Sequence, residues 1–533
     1  MFAFTVPYLY NGLRFAGERS FVTCAETPGS AGVSICDQTV ICVSDGSTHL
    51  PIVQEMNPDL QVILTLSGTD SIERFIAGTC NVIAGEAYQN SEFQVRSFGY
   101  EGPYYAGEVT FSKEPLAMVT RANDPVFSDF VNWVLIGLLS AEENGIDQDN
   151  AFTGIPPTSV FGADYANMFA TSVEAVGNFG EVYERHLEAI VPRSIQDQIN
   201  TGTSGLLYSY PFGDLEQPGS GPQLGGTIET IKTRGYLKCG VSSRAIFAIY
   251  DALRDDWSGF DVDFCRAIAA ALFDGDSTKV EFTDLPASVR FFELHQEEVD
   301  VLSRITTVTL SRDVNETAVG VGFSFSQPTF YDGMTFGGVP DFVQCADDLD
   351  AVSYNCRNLK ICVSQDTTFE QRAKELFDET FVKSKDSLRE SVLGLFFGEC
   401  NVIAGGSVDV SRTSIGDIYK GDYAISPNRW SKDPLALVTR QDDFQWTQFV
   451  NWLVNALIYA EEEDITQENA GDMPLIQFFG PDYTRMFQQA VSAVGNYADI
   501  FERNAGEELE RGGLNSLNEF LSGPQHYPYP GVI

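Results

Sequence analysis

A run of hydroxyl side chains that ends in an arginine is the segment of this sequence best suited to binding a small charged molecule. It reads Thr306-Thr307-Val-Thr309-Leu-Ser-Arg312. A guanidinium can hold a carboxylate through two parallel hydrogen bonds, and neighbouring hydroxyls can donate to the same group. Taken alone, the run is more typical of a solvated helix start than of a binding site, so the residues by themselves leave the interpretation open.

The residues around this run predict alternating strands and helices. Residues 236–241 are a short apolar run typical of a buried strand, whereas residues 259–273 carry apolar side chains at helical spacing. Residues 279–285 are again strand-like, and a second helix near 289–298 leads into Val301. This alternation predicts a parallel α/β sheet, on which ligands bind beyond the carboxyl ends of the strands.

The chain also repeats itself over most of its length. Phe2-Ala-Phe-Thr-Val-Pro corresponds to Phe323-Ser-Phe-Ser-Gln-Pro, and Cys80-Asn-Val-Ile-Ala-Gly corresponds to Cys400-Asn-Val-Ile-Ala-Gly. Nothing in the first half corresponds to residues 227–322. Self-similarity of this kind predicts two copies of one module, the first of them partial, joined by a flexible Gly-, Ser- and Pro-rich stretch within residues 201–226.

Composition excludes several classes of function. The 533 residues include 75 acidic and 33 basic side chains, which give a formal net charge of -42. Such a charge repels nucleic acid and anionic lipid, so neither is expected as a partner. The longest apolar run, residues 126–139, is broken by polar residues and is too short for a membrane span. Met1 is not followed by a signal-peptide pattern, so either the mature protein begins here or the N-terminus is truncated.

The ten cysteines follow the repeat. An even number that divides within each copy favours disulfides and an oxidising compartment. Ten buried free thiols in a cytosolic protein are the alternative, and a metal site is the weaker rival because no CxxC or Cys/His cluster is present. The pairs we expect are 24 with 36, 42 with 80, 239 with 265, 345 with 356, and 362 with 400.

Three segments of the second copy carry a resemblance to a known family. They read Gly226-Thr-Ile-Glu-Thr-Ile-Lys-Thr-Arg-Gly-Tyr-Leu-Lys-Cys-Gly-Val, Trp257-Ser-Gly-Phe-Asp-Val-Asp-Phe-Cys-Arg-Ala-Ile-Ala and Val299-Asp-Val-Leu-Ser-Arg-Ile-Thr-Thr-Val-Thr-Leu-Ser-Arg-Asp. In these segments the sequence resembles the general L-amino-acid-binding proteins of bacterial ABC importers, which belong to solute-binding protein family 3. The likeness runs in order through nearly all of residues 226–530.

The resemblance implies an α/β fold of the periplasmic-binding-protein-like type II class, a two-lobed clamshell hinged on two crossing strands. It also implies the domain boundaries. We expect a partial module at 1–210, with lobe 2 at about 7–114 and the returning part of lobe 1 at about 115–210; a linker at 211–225; and a complete module at 226–533, with lobe 1 at about 226–327 and 435–530 and lobe 2 at about 328–434.

The resemblance assigns the carboxylate of the ligand to particular residues. By position, Thr307 and Arg312 form the clamp on lobe 1, and Thr368 contributes a backbone amide at a helix N-terminus on lobe 2. The residue two before Thr368 is Asp366, where the family has glycine. The partial copy keeps the glycine-containing turn, with Thr48 at the equivalent position.

The remaining contacts implied by the family depart further from its pattern. The position of the acid that accepts the ligand's ammonium group is Gly406 here, whereas its counterpart in the partial copy is Glu86. Asp409 lies close enough in sequence to substitute. On lobe 1, Ser242 and Phe247 are expected at the mouth of the site, with core packing as the alternative for Phe247.

These residues predict binding without catalysis, and neither a cofactor nor a metal is expected. The resemblance implies an extracytoplasmic (periplasmic or secreted) protein that binds an amino acid or similar small carboxylate by closing its lobes, for uptake through an ABC permease. Two alternatives stay open. One is a non-transporting sensor or structural relative with a decayed site, and the other is a dehydratase-type enzyme on the same fold.

Overall fold

The computed structural model describes most of the chain. The described residues are 2–27, 35–112, 114–190, 193, 226–316, 318–348, 355–416, 418–506, 509 and 511. The linker predicted at 211–225 lies outside them. Within these ranges, every helix is too short or too polar to cross a membrane.

The first copy is built on a five-stranded sheet of order β5-β4-β6-β3-β7, in which β4 runs parallel to both β5 and β6. Its strands are β1 (Phe2–Phe4), β2 (Leu9–Asn11), β3 (Leu13–Gly17), β4 (Val40–Ser44), β5 (Gln61–Thr65), β6 (Val82–Glu86), β7 (Tyr105–Ala106), β8 (Glu114–Leu116) and β9 (Val119–Arg121). Its helices are α1 (Arg19–Ala25), α2 (His49–Met56), α3 (Gly68–Ile76), α4 (Glu92–Ser97), α5 (Pro125–Glu143), α6 (Ala151–Gly154), α7 (Met168–Val176) and α8 (Phe179–His186).

The second copy contains two sheets. Its strands are β10 (Leu237–Val241), β11 (Ile249–Asp251), β12 (Asp256–Ser258), β13 (Val280–Asp284), β14 (Val301–Thr307), β15 (Phe323–Phe325), β16 (Phe330–Asp332), β17 (Thr335–Gly338), β18 (Ile361–Ser364), β19 (Val382–Lys385), β20 (Val402–Gly405), β21 (Ala424–Ile425) and β22 (Asp433–Arg440). Its helices are α9 (Thr227–Arg234), α10 (Phe260–Leu272), α11 (Arg290–His295), α12 (Leu310–Asn315), α13 (Pro340–Asp347), α14 (Thr368–Leu376), α15 (Leu388–Phe396), α16 (Arg412–Ile415), α17 (Phe444–Glu462), α18 (Met486–Val494) and α19 (Tyr497–Asn504).

Lobe 1 of the second copy is the six-stranded sheet β13-β10-β14-β22-β15, with β16 also paired to β22. The first three strands are parallel and β22 runs antiparallel to β14. Every residue of α10 except Arg266 is buried, because this helix is apolar almost all round and lies between the sheet and α18. The sheet and its helices together enclose the main apolar core.

Lobe 2 of the second copy has the strand order β19-β18-β20-β17-β21, which is the order of the sheet in the first copy. The registers also match, since Ile41 lies opposite Val82 and Ile361 lies opposite Val402. The chain enters lobe 2 between β16 and β17 and returns between β21 and β22. The expected two-lobed α/β fold with two crossing segments is therefore confirmed.

A β-bulge in β14 sets the direction of the residues that follow it. The pairing of β14 with β22 shifts register between Leu302 and Thr306, and Ile305 has a φ of 55°. A β-branched residue is strained in this left-handed region. The buried carboxylate of Asp261 on α10 accepts a hydrogen bond from the backbone N–H of Ile305, which holds the bulge in place.

The first copy has only a remnant of lobe 1. Its strands β1 and β9 form an isolated pair, and so do β2 and β8. Within the described residues no strand takes the place that β14 holds beside β22 in the second copy. Phe2 and Phe4 are consequently 65% and 70% exposed, whereas Phe323, the counterpart of Phe2, is fully buried.

All ten cysteines form disulfides, and the five pairs are those expected from the repeat. Cys42–Cys80 and Cys362–Cys400 each span 38 residues and occupy equivalent places in the two copies. These cross-links fasten β4 and β18 to the turns that precede β6 and β20. The prediction of disulfides rather than free thiols is confirmed.

The two copies contact each other through the remnant of lobe 1. The indole N–H of Trp133 on α5 donates to Asp313 Oδ2 at 2.6 Å, and Leu310 on α12 packs into the apolar cluster formed by α5 and α7. Gln441 donates to Asp129 Oδ2 at 3.1 Å. Burial and mutual repulsion raise the pKa of Asp129, and burial raises the pKa of Asp313. A groove of about 970 Å³ also lies between the copies.

Candidate functional site: the cleft of the second copy

Two residues expected to contact the same ligand meet across the cleft of the second copy. Thr307 is the last residue of β14 on lobe 1, and Thr368 is the first residue of α14 on lobe 2. Their hydroxyl oxygens lie 3.4 Å apart. The bulge at Ile305 and the helix N-terminus of α14 therefore bring these two side chains to one point.

An acidic residue that the sequence analysis did not assign lies beneath this pair. Asp433, the first residue of β22, accepts hydrogen bonds on Oδ1 from Thr368 Oγ1 at 2.8 Å and from Thr307 Oγ1 at 3.3 Å, and Ser431 donates to its other oxygen. Asp433 is fully buried, and burial raises its pKa. Because a hydroxyl has one proton, threonines that donate to Asp433 present only lone pairs to a ligand.

Arg312 lies at the same end of β14 and is 8% exposed. Its Nη1 donates to the backbone carbonyl of Thr307 at 2.8 Å, which is the one hydrogen bond that the guanidinium makes to the described residues. Burial lowers the pKa of Arg312, while the nearby charges of Glu316 and Asp433 act in the opposite direction. The guanidinium retains N–H groups with which to bind a carboxylate.

Asp332 occupies the space that a side chain at Gly406 would need. A Cβ atom at Gly406 would lie 2.3 Å from Asp332 Oδ2. Asp332 is 7% exposed, its Oδ1 accepts from the backbone N–H groups of Gly333 and Ser407, and burial raises its pKa. The acid missing at Gly406 is thus replaced by one from β16.

The exchange is visible when the two copies are compared. The counterpart of Asp332 in the first copy is Asn11, whose Oδ1 accepts from Gly12 and Ala87 in the same geometry. Where the second copy has an acid at 332 and glycine at 406, the first has an amide at 11 and an acid at 86. This reciprocal difference is the sequence signal that could have identified Asp332.

Asp409, the other candidate for the ammonium group, forms an ion pair with Arg244. Arg244 follows β10 on lobe 1, whereas Asp409 follows β20 on lobe 2, and both side chains are about 15% exposed. Val408 is buried within the apolar core of lobe 1. The lobes are therefore in contact, and Asp409 serves to connect them.

The two remaining lobe-1 candidates lie in the loop after β10. Ser242 directly follows the strand and is 8% exposed. The ring of Phe247 is 2% exposed and packs edge-on against Phe260 and Phe330 in the core. The structure places Phe247 where the alternative of core packing puts it, and does not bring its ring together with Thr307 and Arg312.

The turn before α14 accounts for the unexpected aspartate. Asp366 has a φ of 58°, and its counterpart Gly46 has a φ of 69°. This left-handed conformation favours glycine, although aspartate is among the residues that tolerate it. The backbone N–H of Asp366 donates to Glu370, and the hydroxyl of Thr367 caps the helix by accepting from the Glu370 N–H.

In the first copy, different side chains occupy the equivalent positions. Thr48 Oγ1 donates to Glu114 Oε2 at 2.7 Å, as Thr368 does to Asp433. Glu86 lies at the end of β6, and His49 begins α2. No described residue of this copy takes the place of Thr307 or Arg312.

The chain is similar over about half of its length to amino-acid-binding proteins of bacteria. The chain is 34% identical over 318 residues to the general L-amino acid-binding periplasmic protein AapJ of Rhizobium johnstonii, covering 55% of this chain and 89% of the relative. It is 30% identical over 323 residues to the glutamate/glutamine/aspartate/asparagine-binding protein BztA of Rhodobacter capsulatus, covering 56% and 91%. No protein-family model matches the chain.

One solved structure is similar to about half of the chain. An ABC transporter periplasmic binding protein from Brucella ovis with glutathione bound is 32% identical, with a TM-score of 0.46, and the match covers 54% of this chain and 95% of that structure. Because the chain spans about nine-tenths of relatives that are 30–34% identical, the relationship extends over the whole of their two-lobed module. The chain belongs to the family of periplasmic amino-acid-binding proteins of ABC transporters.

Proposed function

We propose that residues 226–533 bind a free amino acid between their two lobes and present it to an ABC permease for uptake. The observation that carries the proposal is the meeting of Thr307 and Thr368 across the cleft, because only the closed form joins residues of both lobes in one site. The named functions of AapJ and BztA support the same ligand class.

The carboxylate of the ligand is assigned to Arg312 and to the N-terminus of α14. The guanidinium has N–H groups to spare, and the backbone amide of Thr368 stands at the positive end of a nine-residue helix. Because the hydroxyls of Thr307 and Thr368 donate to Asp433, they offer a ligand only acceptor lone pairs. This refines the clamp expected from the resemblance.

The ammonium group is assigned to Asp332, with Asp433 beside it. Burial raises the pKa of both carboxylates, and the nearby charge of Asp332 raises the pKa of Asp433 further; an arriving cation would favour their ionised forms. Asp409 is the weaker candidate, since its charge is already balanced by Arg244. In this proposal Ser242 contacts the ligand at the mouth of the site, and Phe247 supports the site from the apolar core.

The binding cycle follows from the ion pair between the lobes. In an open form, Arg244 and Asp409 are separated and solvated, whereas closure joins them and buries Val408. A ligand that contacts both lobes adds its own binding energy only to the closed form and therefore increases the closed population. The permease would recognise that form.

We place the protein outside the cytoplasm, in the periplasm or secreted. Five disulfides are formed in an oxidising compartment, and the named location of AapJ is periplasmic. We also retain the module boundaries proposed above, with a partial module at 1–210 and a complete one at 226–533. In this arrangement only the complete module binds an amino acid.

Isothermal titration of the full chain with acidic, basic and neutral L-amino acids tests the proposal. We expect at least one of them to bind with a stoichiometry of one per chain, because the first copy lacks the lobe-1 half of the cleft. Absence of binding by all twenty, or a stoichiometry of two, would refute it.

A further inference from the structure

Three potential metal ligands converge in the first copy, outside the amino-acid site. A ring nitrogen of His49 and one carboxylate oxygen each of Glu86 and Glu114 all lie within 4.8 Å of one another. They come from three separate elements, namely the start of α2, the end of β6 and the start of β8. A helix, the five-stranded sheet and the β2–β8 pair therefore each supply one ligand.

His49 is the group that distinguishes this cluster from a patch of surface acids. It is 4% exposed, and its Nε2 lies 3.0 Å from Glu114 Oε1. Nevertheless, Nε2 makes no hydrogen bond of acceptable geometry to the described residues. A buried imidazole nitrogen and a carboxylate oxygen that approach without bonding to each other are directed toward a shared point, as ligands of one ion are.

The two glutamates are held in place by hydrogen bonds. Ser112 Oγ donates to Glu114 Oε1 at 2.9 Å and Thr48 Oγ1 donates to Oε2 at 2.7 Å. The side-chain amide of Gln89 donates to Glu86 Oε2 at 3.1 Å. Such outer contacts orient the ligands of protein metal sites.

The second copy shows that the cluster is not a by-product of the fold. There the positions of His49, Glu86 and Glu114 are occupied by Phe369, Gly406 and Asp433. Two of the three ligands are therefore absent from the copy that has the complete cleft. The first copy keeps the lobe-2 sheet but carries a different set of side chains at its carboxyl end.

We propose that the first copy binds one divalent transition-metal ion, with Zn²⁺ as the best match, between His49 Nε2, Glu86 and Glu114. One imidazole and two carboxylates suit Zn²⁺, whose bonds of about 2.0–2.2 Å to such ligands require only small movements from the present spacing. Water would complete the coordination, since neither Glu86 nor Glu114 is fully buried. The proposal is independent of the amino-acid site.

Equilibrium dialysis of the full chain with Zn²⁺ at pH 7.5 tests the site, and Co²⁺ in its place gives an absorption spectrum that reports tetrahedral N/O ligation. The test variants are Glu86→Gln, which keeps the shape of a half-exposed side chain, and His49→Phe, which installs the residue of the second copy. His295→Phe, at an exposed histidine on α11, is the matched control.

We expect wild type and His295→Phe to bind one equivalent tightly, and both test variants to bind at least about 100-fold more weakly, since loss of an outer contact alone costs ~10–100-fold. Equal binding by wild type and both test variants would overturn the proposal, because it would mean that surface acids alone hold the ion. Absence of tight binding by wild type would also overturn it and would leave His49 and Glu114 as an ion pair only.

Discussion

The hydroxyl oxygens of Thr307 and Thr368 lie 3.4 Å apart, although Thr307 ends a strand of lobe 1 and Thr368 begins a helix of lobe 2. Both donate to Asp433, so one buried carboxylate aligns a side chain from each lobe. In the proposed closed form Asp433 aligns the two threonines, and the ligand's charged groups are assigned to Arg312 and Asp332. The predictions below follow from that division.

Asp332→Asn should weaken amino-acid binding by about 30-fold or more, because loss of a buried charge partner costs about 2 kcal/mol or more. The same ligand without its ammonium group should bind wild type weakly and bind the variant with nearly unchanged affinity. Titration calorimetry with both ligands measures this. Asp341→Asn, at an exposed acid on lobe 2, is the control, and an undiminished preference for the ammonium group in Asp332→Asn would assign its recognition elsewhere.

Arg244→Ala and Asp409→Ala should each lower affinity mainly through faster dissociation, because the ion pair forms only on closure. If the two residues act through each other, the double variant should lose little more than either single variant. Stopped-flow dissociation rates of the three variants test the coupling. Additive losses would show that the residues act separately.

Asp366→Gly should stabilise the second copy by about 0.5–1 kcal/mol, because glycine relieves a left-handed backbone. Affinity for the amino acid should also rise, since a negative charge leaves the neighbourhood of its carboxylate. The reverse substitution in the first copy, Gly46→Asp, should destabilise by a similar amount. Thermal denaturation of both variants makes the comparison, and a loss of stability in Asp366→Gly would contradict the argument from strain.

The contact between the copies should weaken as pH rises. Because the folded pKa values of Asp129 and Asp313 are raised above about 3.9, the folded protein keeps a proton that the unfolded chain has lost, and stability falls from about pH 4 upward toward those raised values. Asp129→Asn removes this penalty and keeps an oxygen to accept from Gln441. It should therefore stabilise by about 1–3 kcal/mol more at pH 8 than at pH 5.

Calorimetric melting at the two pH values checks this prediction. Asp164→Asn, at an exposed acid of the same copy, serves as the control and should show the same change at both pH values. If Asp129→Asn behaves like the control, the acid pair does not determine the stability of the contact.

The parts of the structure that repeat could be predicted from the sequence. The two lobe-2 sheets and four of the five disulfides follow from comparing the chain with itself, because an internal repeat requires the same topology and the same cross-links twice; Cys239 and Cys265, which have no counterparts, were left to pair with each other. The positions of Thr307, Arg312 and Thr368 followed from the family resemblance. The meeting of Thr307 and Thr368 across the cleft is observed, whereas the roles of the three residues remain proposals.

The other features of the site and of the contact between the copies depend on distances between residues, which the sequence does not give. Asp332 and Gly406 lie far apart in the chain, and only the packing of β16 against the end of β20 shows that one carboxylate fills the space of the other. Asp433 was not assigned from the sequence, because its hydrogen bonds to both threonines follow only from the approach of the two lobes. The contact of Trp133 with Asp313 joins two copies whose arrangement no repeat specifies.

The most direct test of amino-acid binding is the affinity of the full chain carrying Arg312→Ala. Arg304→Lys is the control, because it keeps a buried charge on β14, three residues before Thr307. The tightest ligand found for wild type should bind Arg312→Ala at least about 30-fold more weakly and should no longer raise its melting temperature. Arg304→Lys should retain the response. Equal affinity of wild type and Arg312→Ala would show that the ligand's carboxylate is not bound in this cleft.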